Sequence, residues 1–364
     1  MRRWLWWTLL VPTLAVCGAD SPTAPSPARD PKPAPALRVI QLATYDGFGQ
    51  AVHPDVAVTP AGWGGARFHL VVTPYPFGAT QYENPSVYEG NDPVSWSVNA
   101  EETNPIARPS AGHLSDPALV FVPESNELWM YYRQAADSNR IWLTRSSDGV
   151  RWGTPSVVAI VPNHALISPS VVERAPGTWE MWSVNGGISG CNGASTVVER
   201  RTSRDGITWT PPSRVDVPVP ISGHSVWHIA VTWIPVERQY WAVFNVKAAG
   251  TCATSAVFLA TSPDGVKWRT AGAPLLVRGV IPEFQDIVYR ACMSYDPVTD
   301  VVHFWFSGAR RVGSSYAWSI ATLSRSRGTA IPQRVAPYVP IPSSVHLIAV
   351  PVEPGDVADG PRSP

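Results

Sequence analysis

Three features of the chain predict an all-β fold, a five-bladed β-propeller of four-stranded antiparallel blades. First, a Ser-x-Asp-Gly-x-x-Trp turn recurs as Ser146–Trp152, Ser203–Trp209 and Ser262–Trp268, after a degenerate copy, Asn91-Asp92-Pro93-Val94-Ser95-Trp96. Second, the four tryptophans fall 56, 57 and 59 residues apart (96 to 152, 152 to 209, 209 to 268). A fixed period of this length marks a solenoid or a propeller rather than one irregular core. Third, apolar and aromatic runs of alternating pattern precede each turn, while helical periodicity is sustained nowhere.

Each repeat has the same grammar. An apolar run opens it, as in Asp55-Val56-Ala57-Val58, Pro117–Val122 or Ser170-Val171-Val172. An aromatic strand follows: Phe68–Val72, Leu128–Tyr132, Trp179–Trp182, Tyr240–Phe244 and Val302–Phe306. A third strand runs into the Asp-Gly turn, where Asp accepts backbone N–H groups and Gly takes a positive φ; a short fourth strand carries the Trp. Units begin near residues 53, 114, 167, 226 and 286. The last has three strands and no Asp-Gly-Trp turn, so its outer strand is expected from Leu37–Ala43, joining the two ends of the ring.

The flanks read differently. Arg2-Arg3 ahead of the apolar run Trp4–Val16 makes 1–17 an export signal, too short to span a membrane. Leu14-Ala15-Val16-Cys17 resembles the bacterial lipobox, which makes Cys17 a lipidation site and the product a cell-envelope lipoprotein; cleavage near Ala19 would instead release a secreted protein. Residues 18–36 form a Pro-rich tether, 37–350 the propeller and 351–364 a disordered tail.

Formal net charge is zero, with 28 basic and 28 acidic residues and no basic cluster interleaved with aromatics. That pattern argues against a nucleic-acid partner; membrane contact is expected only through the lipid, and the protein is expected to be a monomer. Cys191 and Cys252 sit in matching loops of adjacent repeats, which in an exported protein predicts a disulfide. Cys292 falls in an innermost strand and reads as a core residue. No Cys or His spacing suggests zinc, and no metal or other cofactor is expected.

Residues that open the first strands line the central tunnel and converge on one face. They include His53, Asp55, Asp116, Ser168, Trp227, His228, Tyr289 and Arg290. The end of the second strand and the start of the third return to that face, adding Tyr75, Glu83, Asn84, Tyr132 and Arg133. The turn aspartates lie on the opposite face and read as scaffold.

With five blades, the repeated Ser-x-Asp-Gly-x-x-Trp turns, Asp55 opening the first blade and Asp116-Pro117 opening the second, the chain resembles the five-bladed propeller glycosidases, glycoside hydrolase families 43, 32 and 68. The resemblance covers roughly residues 50 to 325. It implies that Asp55 is a general base or nucleophile and that Asp116 orients the machinery and tunes the acid. The family's acid is a Glu opening the third or fourth blade, where this chain has Ser168-Pro169 and Trp227-His228. Glycoside hydrolysis needs two carboxyl groups flanking one bond. Glu83 is therefore the substitute acid, with Glu283 second. A sialidase is disfavoured, because its turn is one residue longer and its site needs an arginine triad. Two readings remain: a glycosidase-like propeller acting on a poly- or oligosaccharide through Asp55, Asp116 and Glu83, and a catalytically silent propeller that binds carbohydrate in the same pocket.

Overall fold

The computed structural model describes residues 37–101 and 103–331. The expected export signal with Cys17, the tether and the tail lie outside them. Strands group into five sheets. Blade one is Ala51–Val58, Phe68–Pro74 and Ser86–Gly90; blade two is His113–Val122, Glu127–Ala135, Ser138–Ser146 and Ser156–Pro162. Blade three is Ile167–Ala175, Thr178–Asn185, Val197–Ser203 and Ser213–Val215. Blade four is His224–Ile234, Gln239–Ala248 and Thr254–Ser262, edged by the short pieces Arg269–Thr270 and Leu276–Val277. Blade five is Ile287–Asp296, Val301–Val312 and Ser315–Ser326. Each innermost strand packs on those of both neighbours, fifth against first included.

The ring closes as expected. Arg38–Ile40 pairs antiparallel with the third strand of blade five, Arg38 opposite Thr322 and Ile40 opposite Ile320. Both ends of the described chain therefore sit in one sheet, where Arg38–Ile40 covers the outer edge of Ser315–Ser326. Blade one departs from four full strands: its outer strand is a single bridge, Glu89 with Ser97. Its degenerate turn has Pro93 where the others have Gly, so it lacks both the positive-φ residue and an N–H.

The three full turns are built alike. Asp148 Oδ1 accepts the N–H groups of Val150 and Arg151 at 2.9 and 2.8 Å, and Ser146 Oγ accepts that of Gly149 at 2.8 Å. Asp205 with Ser203, and Asp264 with Ser262, repeat the pattern. Each turn then docks on the preceding blade. Tyr131 of blade two donates its hydroxyl to Gly206 O at 2.8 Å, and Trp182 of blade three donates Nε1–H to Gly265 O at 2.9 Å. Trp305 of blade five does the same to Pro93 O of blade one at 3.1 Å, carrying the contact across the closure. Gly265 has φ +71°, and a Cβ there would lie 2.7 Å from the Trp182 ring. Only glycine fits both the conformation and the space.

Cys191 and Cys252 are bonded, with Cα atoms 4.7 Å apart, and tie the loops between second and third strands of blades three and four. Cys292 is fully buried in the core, as expected.

Candidate active site

Proline interrupts the innermost strand of the first three blades at one place: His53-Pro54, Asp116-Pro117 and Ser168-Pro169. A strand-interior proline cannot donate to the ladder, so the strand must bulge there. The pairing register shifts at these points, between Val52 and Asp55 and between Ser115 and Ala118, and blades four and five shift beside His228 and around Arg290. His53, Asp116 and Ser168 adopt positive φ values of 55°, 52° and 54°. Residues other than glycine hold that conformation where the surroundings fix it, most often at functional sites. The bulges bring at least one polar side chain from each blade to the end of the tunnel: His53, Asp116, Ser168, His228 and Arg290.

Three of them form a compact cluster. His53, Asp116 and His228 are buried, and one potential ligand atom from each lies within 4.8 Å of the others. His53 Nδ1 bonds Thr73 Oγ1 at 2.9 Å, and His228 Nδ1 bonds Ser168 Oγ at 3.2 Å. Both rings are thereby oriented with Nε2 free to serve the cluster: His53 Nε2 is 3.9 Å from Asp116 Oδ1, and His228 Nε2 is buried with no hydrogen-bond partner. Asp116 Oδ1 accepts from Ser168 Oγ at 2.9 Å and from Arg290 Nη1 at 3.2 Å, and Oδ2 accepts from Ser115 Oγ at 3.0 Å. Arg133 Nη1 stands 3.8 Å from Oδ2.

Charge states follow. Burial alone would push the Asp116 carboxyl up, but His53, Arg290, His228 and Arg133 around it hold it well below the usual carboxylate range. Burial lowers His53 to about 4 against the pull of Asp116 and takes His228 well below its ordinary value. At neutral pH the cluster is one carboxylate and two neutral imidazoles, the protonation state in which such groups bind metals.

Glu83 stands beside it. It follows the 3₁₀ turn Thr80–Tyr82 and is fully buried, and its backbone carbonyl accepts the N–H of Leu114, tying it to blade two. Its two carboxylate oxygens are 3.6 Å from His53 Nδ1 and 3.4 Å from His113 Nε2. Tyr75, Trp227, Tyr289 and Trp318 also line the cavity. Tyr289 is edge-on to the His228 ring, with centroids 4.5 Å apart.

The structure thus brings together His53, Tyr75, Asp116, Arg133, Trp227, His228 and Tyr289 around one cavity, with Ser168, Arg290 and Glu83 buried against it. Three expected residues do not join them. Asp55 lies beyond the bulge and lines the tunnel toward the other end of the blades, where its Oδ2 accepts the Leu119 N–H at 2.7 Å and burial raises it to about 6. Tyr132 is 2% exposed and packs in the core with Leu114 and Met130. Successive residues of a strand point to opposite faces, so only Arg133 of that pair can turn to the cavity. Asn84 donates to the Tyr45 hydroxyl at 2.9 Å, holding the loop rather than lining the cavity. Glu283 sits in the short 3₁₀ turn Pro282–Phe284 and does not line the cavity.

Sequence reasoning missed the metal-type grouping, because its ligands come one each from blades one, two and four, with no spacing to betray them. The expectation of no metal does not account for it. Reasoning also missed His113, three residues ahead of Asp116, and His164 and Trp318 in the cavity wall.

No protein-family model matches the chain. Among curated proteins it is 28% identical over 351 aligned positions to the A type blood N-acetyl-α-D-galactosamine deacetylase of Flavonifractor plautii, covering 83% of this chain and 45% of that protein. The chain therefore spans less than half the length of that relative. A crystal structure of an N-acetylgalactosamine deacetylase from F. plautii with blood group B trisaccharide superimposes with TM-score 0.74 at 24% identity, over 80% of this chain and 95% of that one. A thermostable family-43 glycoside hydrolase gives 0.57 at 13%, over 80% and 96%. The catalytic domain of the Coprinopsis cinerea GH62 α-L-arabinofuranosidase gives 0.57 at 12%, over 79% and 94%. The expected resemblance to propeller glycosidases holds at the level of fold, and the chain is a five-bladed propeller of the architecture that these carbohydrate-active enzymes share.

Proposed function

We propose that this chain is a metal-assisted hydrolase that removes the acetyl group from an N-acetylhexosamine residue of a glycan. The observation that carries the reading is the cluster of His53, Asp116 and His228 with Glu83 beside it. Two neutral imidazoles and one carboxylate match the donor set of a catalytic divalent site, in which three protein ligands leave a position open. The hydroxyls of Thr73 and Ser168 on the far ring nitrogens are the outer contacts such ligands use to fix their orientation. A cation held there would give the orphaned Nε2 of His228 its partner. When bound, that cation supplies Lewis-acid polarisation of an amide carbonyl and of water.

The chain's own groups supply the rest. Glu83 takes a proton from water as the oxygen adds to the carbonyl carbon. It returns that proton to the nitrogen as the C–N bond breaks, giving acetate and a free amine. His53 Nδ1 and His113 Nε2 stand 3.6 and 3.4 Å from the two oxygens of Glu83. Trp227, Tyr289 and Trp318 offer aromatic faces on which a sugar ring stacks.

The position of Asp55 counts against the glycosidase reading. With it in the tunnel, the cavity lacks the second, independently acting carboxyl that flanking a glycosidic bond requires. Asp116, locked by serines and arginines, is not a proton shuttle. The similarity to a deacetylase supports the amide reading. Export belongs to the same proposal, since a disulfide suits an oxidising compartment. The lipid on Cys17 rests on sequence alone.

The test is product analysis on methyl N-acetyl-α-D-galactosaminide and on oligosaccharides ending in that sugar. Acetate release that stops with a chelator and returns with a divalent cation is the expected result. Cleavage of the glycosidic bond without acetate would establish a glycosidase, and saturable binding without either product a binding module.

A further inference from the structure

Two phenylalanines at the cavity end of the ring keep their rings in water. Phe77 lies in the 3₁₀ turn Pro76–Gly78, two residues after Tyr75, and is 45% exposed. Phe48 lies in the loop between the closing strand Arg38–Ile40 and blade one, and is 54% exposed. The two rings meet edge to face, with centroids 5.8 Å apart. Among the described residues, eight other than glycine hold a positive φ, and Phe77, at 55°, is the one apolar residue of the eight. A bulky side chain in that region is an outlier, and a ring left in water gains little burial in return.

Side chains on both sides hold these loops. The Phe77 N–H donates to Gln50 Oε1 at 3.1 Å, and Ser315 Oγ donates to the Phe77 carbonyl at 2.5 Å. The Phe48 N–H donates to Asp46 Oδ1 at 2.9 Å, and that of Gly49 to Thr44 Oγ1 at 2.8 Å. The same Gln50 Oε1 accepts the backbone N–H of Trp318 at 3.0 Å, so one amide oxygen anchors both the Phe77 turn and a strand of the cavity wall. A Cβ on Gly78 would stand 4.0 Å from the Tyr75 hydroxyl, which sets the turn against that ring. Inside the cavity the aromatic wall is continuous: Tyr289 and Trp318 have centroids 5.4 Å apart, as do Trp318 and Tyr75. Phe77 and Phe48 continue it beyond Tyr75.

We propose that Phe48 and Phe77 form an outer subsite, on which the sugar unit next to the one in the cavity lays its apolar C–H face. The assignment rests on the carbohydrate reading of the cavity and extends it from one sugar to an oligosaccharide. Rings carried on loops already held in place cost little to order on binding. A phenyl ring offers neither donor nor acceptor to a hydroxyl, so this subsite reads the length of the glycan rather than the configuration of its second unit.

The test compares two probes at equilibrium, methyl N-acetyl-α-D-galactosaminide and a trisaccharide ending in that sugar. Wild type should bind the trisaccharide about tenfold more tightly, a difference of about 1.4 kcal/mol, which about 55 Å² of apolar surface removed from water supplies. The double variant Phe48→Ala with Phe77→Gly should lose that preference; glycine suits a φ of 55°, and thermal melts check the fold. Phe77→Tyr keeps the ring and should keep the preference. In turnover, the loss should fall on KM for the trisaccharide rather than on kcat. A wild type that shows the preference but releases no acetate would sink the deacetylase reading and leave the subsite assigned. Acetate release from both probes without the preference would do the reverse. Equal affinity for the two probes in wild type, an undiminished preference in the double variant, or no binding of either probe would overturn the proposal.

Discussion

The two ends of the blades obey opposite rules. At the turn end, the same seven-residue motif is written three times, and each copy makes the same bonds: Asp148, Asp205 and Asp264 each accept two backbone N–H groups, and each turn docks on an aromatic of the blade before it. At the cavity end, the bulges of the five blades contribute four different residue types: His53, Asp116, Ser168, His228 and Arg290. Repetition builds the ring, since every blade interface has the same geometry to satisfy. Chemistry needs groups that differ, so it appears where the repeats diverge.

That contrast can be broken from either side. Glu83→Gln should cause the largest change, a loss of about 10²–10⁴ in kcat for acetate release, the range expected for a positioned proton-transfer group. Its thermal midpoint should move little. Comparable activity in Glu83→Gln would remove the proposed base. Gly265→Ala should do the reverse. A Cβ at φ +71° that meets the Trp182 ring at 2.7 Å adds left-handed strain to overpacking, for about 2–4 kcal/mol in denaturant unfolding. Its folded fraction should still turn over normally; loss of kcat in well-folded protein would show that the two ends are coupled.

Ser168→Ala sharpens the cavity side. It removes one hydrogen bond to Asp116 and one to His228, and metal affinity should fall about 10–100-fold, as for other residues that orient ligands. Cation titration of the apo protein reads this directly. The smallest effect is expected at Glu173, in the tunnel wall at the turn end. Burial, with Glu124 nearby, raises it to about 7 from 4.5. The folded state then holds a proton that the unfolded chain has already lost, so stability declines as pH rises from about 4.5 to about 7. Denaturant midpoints compared at pH 5 and pH 8 should converge in Glu173→Gln; an unchanged pH slope would dismiss this carboxyl as its source.

The same contrast explains what could be read from sequence. The ring, its blade starts, the closing strand at Arg38–Ile40 and the Cys191–Cys252 bond were legible because repetition multiplies a weak signal. Ten of the expected thirteen catalytic and substrate-binding residues reach or back the cavity, since their place in the repeat fixes which end of the blade they occupy. Side-chain direction was less legible. Asp55 and Tyr132 each lie one or two residues from a residue that does face the cavity, and the bulge and the strand alternation decide between them. The prolines at 54, 117 and 169 carried the bulge signal: a proline inside a strand that must pair on one side requires one. The metal-type cluster carried no local signal, because closure of the ring is what brings His53, Asp116 and His228 together.

The central claim, that the divergent end holds a three-ligand cation centre for amide hydrolysis, is tested most directly by metal analysis of the purified protein alongside acetate release. The account predicts about one divalent cation per chain in the wild type. It also predicts that His228→Ala loses the cation and the activity together, while a folded Gly265→Ala keeps both. A wild-type protein that binds no divalent cation when offered one, or that releases acetate undiminished after exhaustive chelation, would contradict it.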